Sequence, residues 1–237
     1  MTRLSVNVNK IATLRNARGG DNPNLLQVVK DCEKYGAEGI TVHPRNDERH
    51  ITLKDVYDIA SIVKTDFNIE GYPDKRFLKI IKDIAPDQVT LVPDPPEVLT
   101  SNIGWKKSDL DIDLKGIVEE IKGIGSKAVI FIDPDLEMVE FAKEIGSDRI
   151  ELYTGTYAKE YLKNKESSVI DYIRASNYAN EIGIEVNAGH DLDLNNLKFI
   201  KKSIPYINEV SIGHALICDA LNLGLEKTIK SYLNCLR

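Results

Sequence analysis

The segment Gly36-Ala-Glu-Gly-Ile-Thr-Val-His43 reads as the end of a helix, a tight turn and a short strand, and the pattern recurs along the chain. Ala85-Pro-Asp-Gln-Val-Thr-Leu-Val92, Gly146-Ser-Asp-Arg-Ile-Glu-Leu-Tyr153 and Tyr206-Ile-Asn-Glu-Val-Ser-Ile-Gly213 follow the same logic. Within each strand the large aliphatics alternate with one polar residue: Thr41, Thr90, Glu151 or Ser211. Because strand side chains alternate faces, the aliphatics would meet covering helices and the polar series would point to the opposite side.

Extending the pattern outward predicts eight strands, over 4–7, 39–42, 67–70, 88–92, 128–132, 149–153, 185–187 and 209–212. Helical periodicity fills the gaps at 24–35, 53–63, 74–84, 114–124, 136–145, 169–182, 195–202 and 215–236. Thr52 and Asp135 are expected N-caps, and Gly36, Gly125, Gly146 and Gly183 are expected helix stops. Strictly alternating strands and helices give an α/β protein with a parallel sheet, and eight strands are the number that closes a (β/α)8 TIM barrel. A flavodoxin-like open sheet is the structural alternative, but it has fewer strands and no need for so many inward polar residues. The same phase points Asn7, Asn9, Glu70 and Asn187 inward. The 237 residues form a single domain, 1–237, with two long insertions after strands, at 93–113 and 154–168. These insertions are places for extra helices, lids or oligomer contacts.

Composition narrows the class of function. Hydrophobic content of 42% with 29% charged residues is that of an ordinary soluble protein. A net charge of −6 argues against general nucleic-acid or membrane binding, so any anion site must be a local basic cluster. Three scattered cysteines, Cys32, Cys218 and Cys235, suit neither a disulfide framework nor a zinc site. The N-terminal Met1-Thr-Arg-Leu-Ser5 lacks the apolar run of a signal peptide and no stretch reaches the length of a membrane span, which predicts a reduced, cytoplasmic protein.

All four histidines fall at or just beyond strand ends: His43 and His50 after the second strand, His190 after the seventh and His214 after the eighth. Barrel enzymes build their sites on that face. Imidazole passes protons near neutral pH, and the guanidinium of Arg45 or Arg49 grips phosphate or carboxylate through paired hydrogen bonds. Glu70 ends the third strand, where burial beside histidines would tune a carboxylate into a base. Lys10, Arg15 and Arg18 with Gly19-Gly20 form a basic loop suited to a phosphate, and Gly213-His214 offers the amides at the start of the last helix. Two anion sites on opposite sides of the mouth would suit a pair of phosphorylated substrates.

The motifs Asn9-Lys-Ile-Ala-Thr-Leu-Arg-Asn-Ala-Arg-Gly19, Gly39-Ile-Thr-Val-His-Pro-Arg45, Asp47-Glu-Arg-His-Ile-Thr52, Asn68-Ile-Glu70, Leu91-Val-Pro93, Val186-Asn-Ala-Gly-His190 and Ile212-Gly-His-Ala215 together resemble the pyridoxine 5'-phosphate synthase family of vitamin B6 biosynthesis along nearly the whole chain. The resemblance implies a cofactor-independent condensation of 1-deoxy-D-xylulose 5-phosphate with 3-amino-2-oxopropyl phosphate, releasing phosphate and water, with no metal. By carry-over, His43 and Glu70 are proton acceptors and His190 a proton donor, with Glu151 in support. Asn7, Arg18, Gly213 and His214 would contact the aminooxopropyl phosphate; Arg45, His50 and Thr100 would contact the deoxyxylulose phosphate. The resemblance also implies a homo-octamer built from dimers. Many members read Asp-His where this chain has Asn9-Lys10, a histidine where Tyr153 stands, and a glycine where Asp191 follows His190. The contacts assigned to Asn9, Lys10 and Asp191 are therefore this chain's own variants. Rival readings are a metal-dependent sugar-phosphate epimerase or aldolase, a Schiff-base aldolase using Lys10, and a noncatalytic phosphosugar-binding barrel.

Overall fold

A computed structural model of the chain describes residues 1–94, 101–107 and 112–237. Among these residues, eight parallel strands pair in sequence order and the last closes onto the first: β1 (Arg3–Asn7), β2 (Gly39–Val42), β3 (Asp66–Gly71), β4 (Gln88–Leu91), β5 (Lys127–Ile132), β6 (Arg149–Tyr153), β7 (Glu185–Gly189) and β8 (Ile207–Ile212). The expected TIM barrel is therefore present, and β7 runs further than expected, to Gly189, so that His190 leaves the strand end directly.

The helices are α1 (Asn9–Asn16), α2 (Leu25–Lys34), α3 (Leu53–Ala60), α4 (Lys75–Ile84), α5 (Leu114–Gly123), α6 (Leu136–Glu144), α7 (Gly155–Tyr161), α8 (Lys165–Ser168), α9 (Ile170–Glu181), α10 (Leu197–Ser203), α11 (His214–Leu223) and α12 (Leu225–Leu236). Thr52 caps α3 in a reciprocal box with Asp55, and Asp135 caps α6. Two expectations change. The stretch after β1 is helix α1 rather than a loop, and the long C-terminal helix is broken in two at Gly224, whose φ of +79° an L side chain would resist.

The alternation within strands sorts the core as expected. Ile40, Val42, Ile69, Val89, Leu91, Ile150, Leu152 and Val210 are fully buried in the main apolar core. The barrel interior is polar and must satisfy itself, because a buried polar group without a partner costs free energy. Ser5 and Thr41 share a hydrogen bond of 2.7 Å, and Thr90 Oγ1 donates to Asn68 Oδ1 at 3.1 Å. Toward the N-terminal ends of the strands, Gln88 Oε1 accepts from Arg149 at 2.7 Å and from Asn187 at 3.2 Å, while Gln88 Nε2 donates to Glu209 at 3.2 Å.

The described parts of the insertions hold to the strand ends and to neighbouring loops. Trp105 is buried, donates Nε1 to the Leu91 carbonyl and its backbone N–H to the Phe131 carbonyl, both at 2.9 Å, and stacks on Tyr72. In the second insertion, Tyr157 Oη donates to the Asn196 carbonyl at 2.7 Å and Tyr161 Oη to the Asn195 carbonyl at 3.0 Å, tying α7 to the loop before α10. Among the described residues, no helix is long and apolar enough to cross a membrane.

Candidate active site

At the C-terminal ends of the strands lies a cavity of about 480 Å³. Asn7, Asn9, Lys10, His43, Arg45, His50, Glu70, Glu151, His190, Asp191, Gly213 and His214 all line it, so nearly every residue singled out from the sequence converges on one space. Two do not join them. Arg18 is exposed beyond the end of α1 and is absent from the wall, and Thr100 lies outside the described residues. Arg15, read as part of a basic loop, is instead buried in a two-pronged pair with Asp55, at 2.6 and 2.8 Å, and so locks α1 against the start of α3. Asn9, Lys10 and Thr13 are the residues of α1 that line the cavity, the last two about one turn apart.

The ends of the first three strands are cross-tied. Asn7 Oδ1 accepts the Asn9 N–H at 3.1 Å, and Asn9 Oδ1 accepts the His43 N–H at 3.0 Å, so the Asn9 side chain fixes β2's end to α1. Asn7 Nδ2 reaches Glu70 Oε2 at 3.5 Å, and the same oxygen lies 3.9 Å from His43 Nδ1. Burial lowers the His43 pKa well below the usual imidazole value, helped by the positive charge of Arg45, while burial and then Asp94 push the Glu70 carboxyl up to about 8. Both shifts favour the uncharged forms, an imidazole beside a carboxyl rather than an ion pair.

His50 is brought down to about 4 by burial and then by Arg45 and Lys10. Its Nδ1 accepts the Ile51 N–H at 2.9 Å, which assigns the ring proton to Nε2. Glu151, buried on β6, has its carboxyl raised well above the usual range by burial and then by Glu70 and Glu209, and its Oε2 has no hydrogen-bond partner among the described residues. Gly189 makes room for it, since a Cβ there would meet Glu151 Oε1 at 2.3 Å.

His190 stands on a strained turn. His190 and Asp191 both have positive φ, 81° and 55°, a region that non-glycine residues enter at a cost of about 1–3 kcal/mol. Thr154 holds the turn, its one hydroxyl proton shared between the Gly189 and His190 carbonyls at 2.6 and 2.5 Å, and Asn196 Nδ2 donates to the Asp191 carbonyl at 3.0 Å. The ring packs at 5.0 Å from Phe131 and 5.4 Å from Tyr153. Burial lowers its pKa, against which Asp191 and Asp94 act to raise it. Helix α11 begins at His214 behind Gly213, and both residues line the cavity, which places the N-terminus of this helix at its wall.

The residues that sequence reasoning missed are Thr13 and Ser101, which line the cavity, and Asp94, which stands behind Arg45; Ser211, also on the wall, was read only as inward-facing. Arg45 Nη2 donates to Asp94 Oδ2 at 2.6 Å, Ser101 Oγ donates to the same oxygen, and all three side chains are buried. The position of Pro93-Asp94, directly beyond the end of β4 on the site-bearing face, was the available signal.

Among solved structures the chain is similar to a mutant tryptophan synthase α-subunit from Pyrococcus furiosus, with a TM-score of 0.66 and 16% identity over 98% of each chain. It is also similar to tryptophan synthase from M. tuberculosis, with a TM-score of 0.67 and 11% identity over 100% of this chain and 94% of that one. At such identities the likeness is one of fold alone. Among curated proteins it is 55% identical to the pyridoxine 5'-phosphate synthase of Cytophaga hutchinsonii over 100% of both chains. It is 56% identical to that of Porphyromonas gingivalis over 98% of both. Residues 4–237 match the profile described as pyridoxal phosphate biosynthesis protein PdxJ, and the chain belongs to the PdxJ family.

Proposed function

We propose that the chain is a pyridoxine 5'-phosphate synthase, a transferase condensing 1-deoxy-D-xylulose 5-phosphate with 3-amino-2-oxopropyl phosphate to give pyridoxine 5'-phosphate, inorganic phosphate and water. The observation that carries this reading is the convergence of His43, Glu70 and His190 on one cavity whose wall also carries Arg45, His50, Asn7, Gly213 and His214, the residues read as the contacts to the two phosphates. The amine of one substrate must attack a ketone of the other, each carbinolamine or aldol hydroxyl must be protonated before it leaves as water, and each carbon acid must lose a proton to form an enol. Groups with shifted pKa values set within one small space answer that demand.

His43, which burial holds uncharged, is the first acceptor, and Glu70 becomes the second once ionised. His190 is the donor: two phosphates entering the cavity favour its charged form, so it takes up its proton as the substrates bind. Glu151 supports the floor of the site. Family membership and the convergence on one cavity support these roles, and they favour small phosphorylated substrates over nucleic acid or membrane as partners. The resemblance supports a homo-octamer of dimers, checked by light scattering, and the free thiols of Cys32, Cys218 and Cys235 fit a cytoplasmic location.

The test is direct. Purified protein is mixed with both phosphorylated substrates, without added metal, and pyridoxine 5'-phosphate is followed by absorbance and mass alongside released phosphate. Product that needs both substrates and survives a chelator supports the synthase. Turnover lost to the chelator, or a borohydride-trapped adduct on Lys10, would replace it with a metal-dependent or Schiff-base aldolase. Binding of both substrates without turnover would leave a phosphosugar-binding barrel.

A further inference from the structure

The inward face of the barrel is polar on most strands, but β5 and β6 bring two aromatic rings to it. Ile130 and Ile132 on β5 and Ile150 and Leu152 on β6 belong to the main core, so strand alternation puts Phe131 and Tyr153 on the opposite, inner face. With Val92 these two form a small buried apolar cluster apart from that core. The His190 ring packs against it, 5.0 Å from Phe131 at an interplanar angle of 53° and 5.4 Å from Tyr153 at 70°, while Phe131 and Tyr153 lie 5.8 Å from each other. All three spacings fall in the range of about 4.5–7 Å where tilted and edge-on rings attract.

His190 needs such a restraint. The hydrogen bonds that hold its turn end on the carbonyls of Gly189, His190 and Asp191, so they fix the Cα and leave the side-chain torsions unset. A backbone hydrogen bond with Gly189 reaches the imidazole itself, yet a ring held at one atom still pivots. Proton transfer is less forgiving, since donor and acceptor must come within about 2.6–3.2 Å. We propose that Phe131 and Tyr153 are positioning residues: their rings hold the His190 imidazole in the orientation from which it donates its proton to bound substrate. This rests on the reading of His190 as the proton donor. Neither ring is among the described residues of the cavity wall, so neither acts by touching substrate. The Tyr153 hydroxyl packs against Gly155, leaving no space there for a Cβ, and the ring is the part that serves His190.

The experiment uses the full-length protein, both substrates and the variants Phe131→Leu, Tyr153→Phe and Tyr153→Leu. Phe67→Leu is the control for lost packing, because Phe67 on β3 is likewise buried but belongs to the main core. Phe131→Leu is expected to lower kcat about tenfold or more while the KM for each substrate stays within about threefold. Tyr153→Phe keeps the ring and should keep kcat within about twofold, whereas Tyr153→Leu should lose about fivefold. Phe67→Leu should lower Tm and leave kcat unchanged. Wild-type kcat in Phe131→Leu, an equal loss in Phe67→Leu, or equal kcat in the two Tyr153 variants overturns the proposal. Should Phe131→Leu fail to fold, the Tyr153 pair decides alone. Nuclear magnetic resonance on protein carrying isotope-labelled histidine, with the His190 signal assigned by its loss in His190→Gln, reads the order of the ring without turnover. The ring is expected to be ordered in the wild type and to gain motion in Phe131→Leu and Tyr153→Leu. Wild-type protein that shows this contrast but forms no product fails the reaction alone, whereas a His190 ring equally ordered in wild type and variants removes the role of Phe131 and Tyr153 whatever the turnover.

Discussion

At the scale of single residues, the site works by holding groups away from the charge states that water would give them. Glu70 keeps its proton up to about 8, so as a base it should switch on late. The kcat/KM of the wild type is expected to climb through that region as the carboxylate forms. Glu70→Gln removes the base at constant volume, and should abolish turnover while leaving substrate binding within about threefold. Normal turnover at saturation, or binding lost together with turnover, would contradict that role. His50, brought down to about 4, is uncharged at working pH and can meet the sugar phosphate only as an Nε2–H donor. His50→Ala should therefore raise the KM for deoxyxylulose phosphate roughly tenfold with kcat little changed, the worth of one hydrogen bond to a charged group. An unaltered KM would place His50 outside the substrate contacts.

At the scale of elements, the decisive piece is the junction where β6 enters α7 beside the end of β7. Gly155 opens α7, and a Cβ there would meet Tyr153 Oη at 2.2 Å and its Cζ at 2.4 Å. Helix propensity alone favours Gly155→Ala by about 1 kcal/mol, but forcing a methyl into a packed ring costs about 1–3 kcal/mol. The ring has little room to retreat, since Phe131 lies 5.8 Å away and His190 5.4 Å away. Gly155→Ala is expected to lower kcat at least tenfold by displacing His190, and adding Tyr153→Ala should recover part of the loss. Strictly additive losses would show that the clash is not felt. This junction also marks how far the sequence could be read. Most strands were legible because inward polar and outward aliphatic residues alternate in phase, as β2 shows in only four residues, Gly39–Val42, whereas β5 is apolar on both faces and was read from its aliphatic run. Helix α1 was not, because one of its three buried residues is Arg15, whose partner Asp55 lies 40 positions away. The break at Gly224 was hidden in an apolar run that continues helical periodicity on both sides. Strand-end histidines announced the site, whereas the Arg45–Asp94 pair, joining residues 49 positions apart, exists only once the barrel has closed.

At the scale of the whole molecule, the barrel carries buried carboxyls whose protonation must trade against folding. Glu70 has a folded pKa of about 8 against an ordinary value of 4.5, so between those limits the folded chain holds a proton that the unfolded chain has released. Stability therefore falls as pH rises through this window, the reverse of a salt-bridged carboxylate. Histidines held below their usual value, His43 and His50 among them, act in the opposite sense, but only below about 6.5, where the unfolded imidazole takes up its proton. Between pH 7 and 8.5 the carboxyl contribution is left alone, and for Glu70 it amounts to about 1 kcal/mol. In a chain of 237 residues that corresponds to a drop in Tm of roughly 2–4 °C. Glu151 contributes with the same sign and stays in place when Glu70 is replaced, so the informative quantity is the difference between two proteins. Thermal unfolding without phosphate or substrate should show the wild type losing stability across this range and Glu70→Gln losing less of it, with the variant the more stable of the two at the alkaline end. Parallel Tm–pH curves for the two proteins would mean that Glu70 ionises in the folded barrel as it does in water, and the late-switching base would go with it.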